Sequence, residues 1–384
     1  MAIPGVDTRM AQSDAALVCH FESLGRGCEF GFLQREAGAE PMGLLRFAGL
    51  RLDGLIQGLR TRFAGIAATE NVRLSLDGNE YRVEAVNVGF RYHTELFVGD
   101  IEPEQLHRLE CRKLRFLARQ LIEELEGGTK IFVYQQHEPL LAQDLVRLLS
   151  ALAAYGSPTL LWMLEADAVN KPGTVEVVSD RLLVGYLQCF APLEAVHQPH
   201  VASWMAVCRS AYDIWSATHV GSGIDSAGPA DSAIDNEGDT TTADIVFGTA
   251  GNSVACQGDG WAQPEARHTW AIGQQSRLTL PVPSGSGDML LRLFAWPFVR
   301  APEVNAQRLR ISVDDVEIAA FRLTAEARLQ CPVPAALLDG RQTIDIVFHH
   351  PDATQPASLA PGHSDTRDLA IAFRRVSLSR LRNG

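Results

Sequence analysis

The spacing of apolar and polar positions divides the chain into two stretches of different character. Leu44, Leu45, Phe47, Leu52, Leu55, Ile56 and Leu59 fall at helical intervals, which predicts a helix over 44–59. The run 103–126 predicts a long amphipathic helix, with Pro103 in its first turn and Gly127-Gly128 as its stop. KIFVY (130–134), TLLWML (159–164) and LLVGYL (182–187) are short apolar runs of the kind that form buried strands. Helical patterns at 139–154 and 203–215 lie among them, so the first part reads as layered α and β structure. Later the pattern becomes alternation. SRLTLPVP, DMLLRLFAWPF, QRLRISVDDVEIAAFRL, QTIDIVFHHP and LAIAFRRVSLSRL alternate apolar and polar residues between turn residues. That predicts an antiparallel β-sandwich or jelly roll, with a hairpin turn at Asp314-Asp315.

Charge locates the boundary. The chain of 384 residues carries 34 Lys+Arg and 46 Asp+Glu, a formal charge of −12. Residues 216–260 contain no Lys or Arg and seven acids, and so hold −7 of that total. Their Gly/Ser/Ala/Asp-rich centre has too little to bury to offset its ordering entropy. The expectation is an α+β domain over 1–216, an acidic flexible linker over 217–244, and an all-β sandwich over 245–384. The acidic balance argues against nucleic acid as a partner. No apolar run reaches the ~20 residues of a membrane helix, and the N-terminus lacks the pattern of a secretory signal, so the expected location is the cytoplasm. Seven scattered cysteines (Cys19, Cys28, Cys111, Cys189, Cys208, Cys256 and Cys331) without C-x-x-C spacing argue against a zinc ribbon or a disulfide scaffold. No metal or cofactor is expected.

One constellation carries chemistry. In FESLGRGCEFGFLQR (21–35), Gly25 and Gly27 let the backbone turn before Cys28, and a helix is expected from Glu29. A cysteine at a helix N-terminus is placed for nucleophilic attack, with nearby N–H groups for an oxyanion. A buried thiol packed behind a glycine turn explains the same pattern. His93, in GFRYHTELF, is the first candidate for the base, and His137, after KIFVY, is the second. A third group should orient the imidazole. Gln136 stands for it in the candidate set, with Glu95, Gln135 and Glu138 as alternatives.

These residues resemble a bacterial family of unknown function described as papain-like cysteine peptidases. The matching positions are Ser23-Leu24-Gly25, Cys28, Gly31, Gln34-Arg35 and Glu40-Pro41, followed by YHTE (92–95), the 103–126 helix, KIFVYQ and YGSPTLLWM. The resemblance spans roughly 17–215. It implies a papain-like domain with Cys28 as nucleophile and His93 as base, and Gly25, Gly27, Glu29, Gln34, Arg35 and Glu95 as binding residues around them. A Cys/His pair of this kind serves amidases and acyltransferases as well as peptidases.

The second domain resembles β-sandwich modules appended to bacterial glycosyltransferase and polysaccharide-related proteins. Trp261, Pro264, Glu265, Trp270, Pro351, Pro356, Asp365 and Arg367 carry that likeness. Trp261, Trp270 and Trp296 can stack on sugar rings or serve as core packing. Asp365 and Arg367 can clamp a ligand or form an ion pair on one strand face. The combined expectation is a cysteine hydrolase or acyltransferase acting on an amide, ester or thioester of a glycan or glycoconjugate. The alternative is a non-catalytic, carbohydrate-binding accessory of glycosyl-transfer or polysaccharide machinery, with a glycosyltransferase-associated partner. A third reading, a glycosyltransferase using Glu165-Ala166-Asp167, fits less well.

Overall fold

The computed structural model describes residues 13–138, 141–219, 240–283, 287–359 and 364–380. The elements in chain order begin with α1 (Asp14–Cys19), β1 (Phe21–Ser23), α2 (Glu29–Glu36), α3 (Leu52–Arg60), β2 (Val72–Asp77), β3 (Glu80–Ala85), β4 (Phe90–Phe97) and α4 (Pro103–Gly127). Next come β5 (Ile131–Tyr134), α5 (Ala142–Leu152), β6 (Thr159–Glu165), β7 (Val175–Ser179), β8 (Leu182–Leu187) and α6 (Val201–His219). The rest is β9 (Thr240–Val246), β10 (Thr269–Ile272), β11 (Gln275–Pro281), β12 (Met289–Pro297), β13 (Gln307–Val313), β14 (Val316–Leu323), β15 (Ala327–Val333), β16 (Thr343–His349), α7 (Pro356–Leu359) and β17 (Leu369–Arg380).

These elements form two compact units. The first holds described residues up to Leu52 and from Glu124 through α6. Its sheet has the order β1-β5-β6-β8-β7, parallel throughout except for the β7 edge. Parallel strands are buried on both faces, which is why β5 and β8 are unbroken apolar runs, buried at every position. One face packs Leu17 and Val18 of α1, Phe30 and Leu33 of α2, and Trp204 and Val207 of α6 against Ile131, Val133, Leu161 and Leu183.

The second unit holds 53–123 and the described residues from 240 onward. Two antiparallel sheets face each other. One has the order β10-β17-β12-β15 with β9 also on β17, and the other is β11-β16-β13-β14. Their inward residues form one core, including Leu278, Leu293, Ile311, Ile346 and Phe373. The expected β-sandwich is therefore present, and the chain as a whole mixes α and β structure.

The division differs from a cut at the acidic stretch. The meander β2-β3-β4 and α4 as far as Glu123 belong with the sandwich. Ala320 of β14 packs on the cluster of Leu96, Ile101 and Leu106, and polar ties add to it. Arg308 donates to the Gly99 carbonyl at 2.9 Å, Arg112 donates to the Glu317 carbonyl, and Arg119 pairs with Asp288 at 2.7 Å. Composition cannot show such ties, because each joins residues far apart in sequence. The second unit also starts earlier than 245, since Thr240–Val246 is a ladder strand and Asp244 pairs with Arg375 at 2.6 Å. The remainder of the expected linker, 220–239, lies outside the described residues. The helix expected over 44–59 is only α3, and residues 44–47 form a turn instead.

Candidate functional site

Two places bear on function, one in each unit. In the first, the chain leaves β1 through a tight loop. Gly25 (φ +85°) and Arg26 (φ +67°) are both left-handed and turn the chain into α2. Ser23 Oγ accepts from the Gly25 N–H at 3.2 Å, and Arg26 forms an ion pair with Glu138. A Cβ at Gly27 would lie 2.8 Å from Gln135 Nε2, so the Gln135 amide sits close against the Gly27 backbone.

Cys28 is the N-cap residue of α2, as the sequence suggests, with a half-buried thiol. A helix N-terminus favours a thiolate by about 0.3–1 kcal/mol at exposed sites. Burial dominates here and pushes the thiol above its ordinary value.

The other residues of the expected constellation are distributed as follows. His93 lies on β4 in the second unit, whereas Cys28 is in the first. Its Nδ1 is 2.9 Å from Glu80 Oε2, and its Nε2 accepts from Arg82. Both ring nitrogens are thus engaged on the meander. Glu95 is on the same strand, and its backbone N–H donates to Glu80. Gln136 accepts from the Tyr134 hydroxyl at 2.8 Å and donates to the Glu138 carbonyl at 2.7 Å, so it fixes its own loop.

Gln34 and Arg35 are also structural. The buried Arg46 guanidinium binds Gln34 Oε1, Glu40 and the carbonyls of Gly31, Ala39 and Pro41. Gln34 donates in turn to the carbonyls of Val18 and Phe21, and Arg35 pairs with Glu40 at 2.6 Å. The motif Gln34-Arg35, Glu40-Pro41 is the clamp that folds the chain after α2. Glu29 is fully buried and accepts from Trp204 Nε1 at 2.8 Å and the Ala191 N–H at 3.2 Å. Burial raises its pKa, and these two donors oppose the rise.

What the first unit does gather is the set of loops at the carboxyl ends of its parallel strands, where open α/β sheets place their ligands. Gln135 and His137 follow β5, Glu165 ends β6, and Phe190 follows β8. The Phe190 N–H donates to Glu165 at 2.9 Å, and the His137 ring lies 5.3 Å from that of Phe190. Gln135 is 4% exposed and its Oε1 has no partner among the described residues. Phe190 and Trp204 carry no motif, and only the parallel strand order brings them here.

The second place is the outer face of the five-stranded sheet of the sandwich. Trp270 of β10 and Trp296 of β12 both stand opposite Ala372 of the intervening β17, one on each side. Their inward neighbours Ala271 and Ala295 are core, so alternation turns both indoles outward. Both are half-buried. The His268 ring lies 5.7 Å from Trp270 and 4.9 Å from Trp296, and Phe298 is 6.3 Å from Trp270. Small Ala372 leaves the strip uninterrupted. At its rim, Arg367 forms a two-pronged pair with Asp365 (3.0 and 2.7 Å) and reaches Glu265 at 3.4 Å. The ion-pair reading of Asp365 and Arg367 therefore describes their geometry.

Trp261 is different. It packs on Phe247, Phe348 and Phe373 at the edge of the core, and its indole N–H donates to the Arg277 carbonyl at 2.8 Å. Core packing, not an open platform, is its role. Trp296, a stacking candidate in the sequence, completes the strip with His268, which no motif marked.

No protein-family model matches the chain, and no curated protein matches it. The papain-like resemblance of 17–215 rests on its motif alone. Among solved structures the chain is similar to the CBM36-1 domain of a multidomain xylanase from the hindgut metagenome of Trinervitermes trinervoides (9% identity, TM-score 0.22, 35% of this chain and 94% of that one). It is also similar to the CBM22-1 xylan-binding domain of Xyn10C from Paenibacillus barcinonensis (10% identity, TM-score 0.26, 38% and 96%). A third is a carbohydrate-binding module CBM36 in complex with calcium and xylotriose (6% identity, TM-score 0.20, 36% and 98%). The sandwich assignment stands on the strand order and shared core described above. No helix among the described residues is long and apolar enough to cross a membrane.

Proposed function

We propose that the chain binds carbohydrate through the outer face of the β10-β17-β12-β15 sheet. The observation that carries this is the pair Trp270 and Trp296, held on one face across Ala372 with His268 between them. Sugar rings present apolar C–H faces, and a flat indole buries such a face without demanding hydrogen bonds. The carboxylates and guanidinium at the rim can meet the hydroxyls. Strands fix the indoles more firmly than loops do, so little ordering entropy is lost on binding. This is the non-catalytic reading of the chain.

Affinity electrophoresis of the full chain in gels containing soluble polysaccharides tests it. Trp270→Ala and Trp296→Ala should each weaken binding by about 2 kcal/mol, roughly 30-fold, as central aromatic contacts do. Trp261→Phe should leave the retardation unchanged. Equal retardation of all four proteins would refute the assignment.

A second reading keeps Cys28 as a nucleophile with His137 replacing His93 as base. The buried, unpartnered Oε1 of Gln135, whose amide faces the Gly27 backbone, favours it. Iodoacetamide labelling of Cys28, followed by peptide mass spectrometry from pH 6 to 9, separates the two. A resting thiol held up by burial labels more slowly than a free cysteine and is indifferent to His93→Ala. Fast labelling below pH 7 that disappears in His137→Ala supports the catalytic reading instead.

A further inference from the structure

Beside Trp296 the same sheet face carries charge. Phe294 lies two residues earlier on β12 and so shares that face. Two guanidinium groups flank its ring, Arg328 at 5.1 Å and Arg374 at 5.4 Å from the centroid. The register explains both positions. Arg328 of β15 is directly opposite Phe294. On β17, Arg375 pairs with Phe294 and Phe373 with Ala295, which leaves Arg374 as the extra residue of a bulge. A bulge re-aims its side chain, and here it sets a second cation over the same ring.

Three arginines of this unit are engaged by carboxylates, Arg367 by Asp365 and Glu265, Arg375 by Asp244, and Arg308 by Asp352. Arg328 and Arg374 meet none among the described residues, and Glu326, two residues before Arg328, pairs with neither. Arg374 is exposed and Arg328 half-buried. Stacking on Phe294 holds each guanidinium while leaving N–H donors for a ligand. In a chain of net charge −12, these two cations, both stacked on one ring beside the aromatic platform, form a local patch of positive charge. The complementary ligand is a sugar that carries a carboxylate, because the planar fork of arginine matches a carboxylate with two parallel hydrogen bonds.

We propose that this face takes an acidic polysaccharide, a polymer containing uronic acid. One ring lies on Trp270 and Trp296, and the carboxylate of a neighbouring ring sits at Arg328 and Arg374. This rests on the carbohydrate-binding reading above and names the class of its ligand.

The test uses the full chain with polygalacturonate, alginate and hyaluronate, each beside its carboxyl-reduced, neutral counterpart. Titration calorimetry should show at least one acidic polymer bound about 10-fold or more tighter than its neutral form, as charge-assisted hydrogen bonds would give. The double variant Arg328→Gln, Arg374→Gln should abolish that preference and leave the neutral affinity unchanged. Arg374→Gln alone, at an exposed bulge, serves if the double variant fails to fold, and should remove part of the preference. Equal binding of acidic and neutral forms by the wild type overturns the acidic-ligand proposal and leaves the platform standing. A preference that survives the arginine changes overturns it too, because the carboxylate is then read elsewhere. Absence of binding to every polymer, acidic and neutral, overturns the platform and this proposal together.

Discussion

Lys130 sits in the first unit between two carboxylates, 2.7 Å from Glu124 and 3.5 Å from Glu22. One cation cannot fully neutralise two buried acids. Burial works against the Lys130 charge, but Glu124 and Glu22 outweigh it and hold its pKa above the usual lysine range. Burial pushes Glu22 up to about 8, with Lys130 only partly opposing the rise. Lys130 is therefore the charged partner of Glu124, and Glu22 is the carboxyl that keeps a proton near neutrality. An acid whose folded pKa exceeds its unfolded value of 4.5 stabilises the fold less as pH rises between the two values. The contribution of Glu22 to stability should fall from about pH 5 to pH 8, by a few kcal/mol at most, whereas His20 and His350, whose pKa burial lowers to about 4, contribute a rise over the lower part of that window. Glu22→Gln should remove that fall, and urea midpoints at pH 5, 6.5 and 8 check it. A difference between the wild-type and Glu22→Gln midpoints that does not fall from pH 5 to pH 8 contradicts the assignment. Single residues were legible here by type and not by role. The pattern around Cys28 singled out Gln34, Arg35 and Glu40, yet those side chains serve Arg46 and the chain itself. A sequence motif records that polar groups must stay together, and a fold clamp leaves the same record as a ligand site.

Elements were more legible than single residues where apolar periodicity decided them. Strands β5, β6 and β8 and helix α4 lie where the apolar runs and the Pro103 and Gly127-Gly128 signals place them. The helix expected over 44–59 shrank to Leu52–Arg60 because Arg46 draws its acceptors from the preceding turn and keeps 44–47 out of the helix. Strands β2 and β3 were not anticipated, since their alternation (VRLSLD, EYRVEA) is short and charged. The β13-β14 hairpin turns at Asp314 (φ +46°) and Asp315 (φ +66°), the left-handed pair of a two-residue turn. Glycine at the second position relieves the steric cost that a Cβ imposes there. Asp315→Gly should therefore raise the unfolding free energy by roughly 0.5–1 kcal/mol. Asp314 is left in place because it pairs with Arg341. A thermal melt that moves down on this substitution would contradict the turn geometry.

At the scale of the molecule, composition identified the sandwich and misplaced its partners. The acidic stretch separates the two patterns in sequence, but 53–123 is spatially part of the second unit through Arg308, Arg112 and Arg119. Segments far apart in sequence meet by polar ties and by the packing of Ala320 against the cluster of Leu96, Ile101 and Leu106, which no local window contains. The same limit applied to the site. Trp270 was visible as a residue, whereas its alignment with Trp296 depends on both being opposite Ala372 across a third strand. The central claim is that these two indoles hold carbohydrate. Oxidation of tryptophans by N-bromosuccinimide, with and without a saturating acidic polysaccharide and read by peptide mass spectrometry, tests it most directly. Trp270 and Trp296 should react in the free protein and be protected by the polymer, while fully buried Trp204 stays inert in both. Unchanged oxidation of Trp270 and Trp296 under saturating polymer would contradict the account.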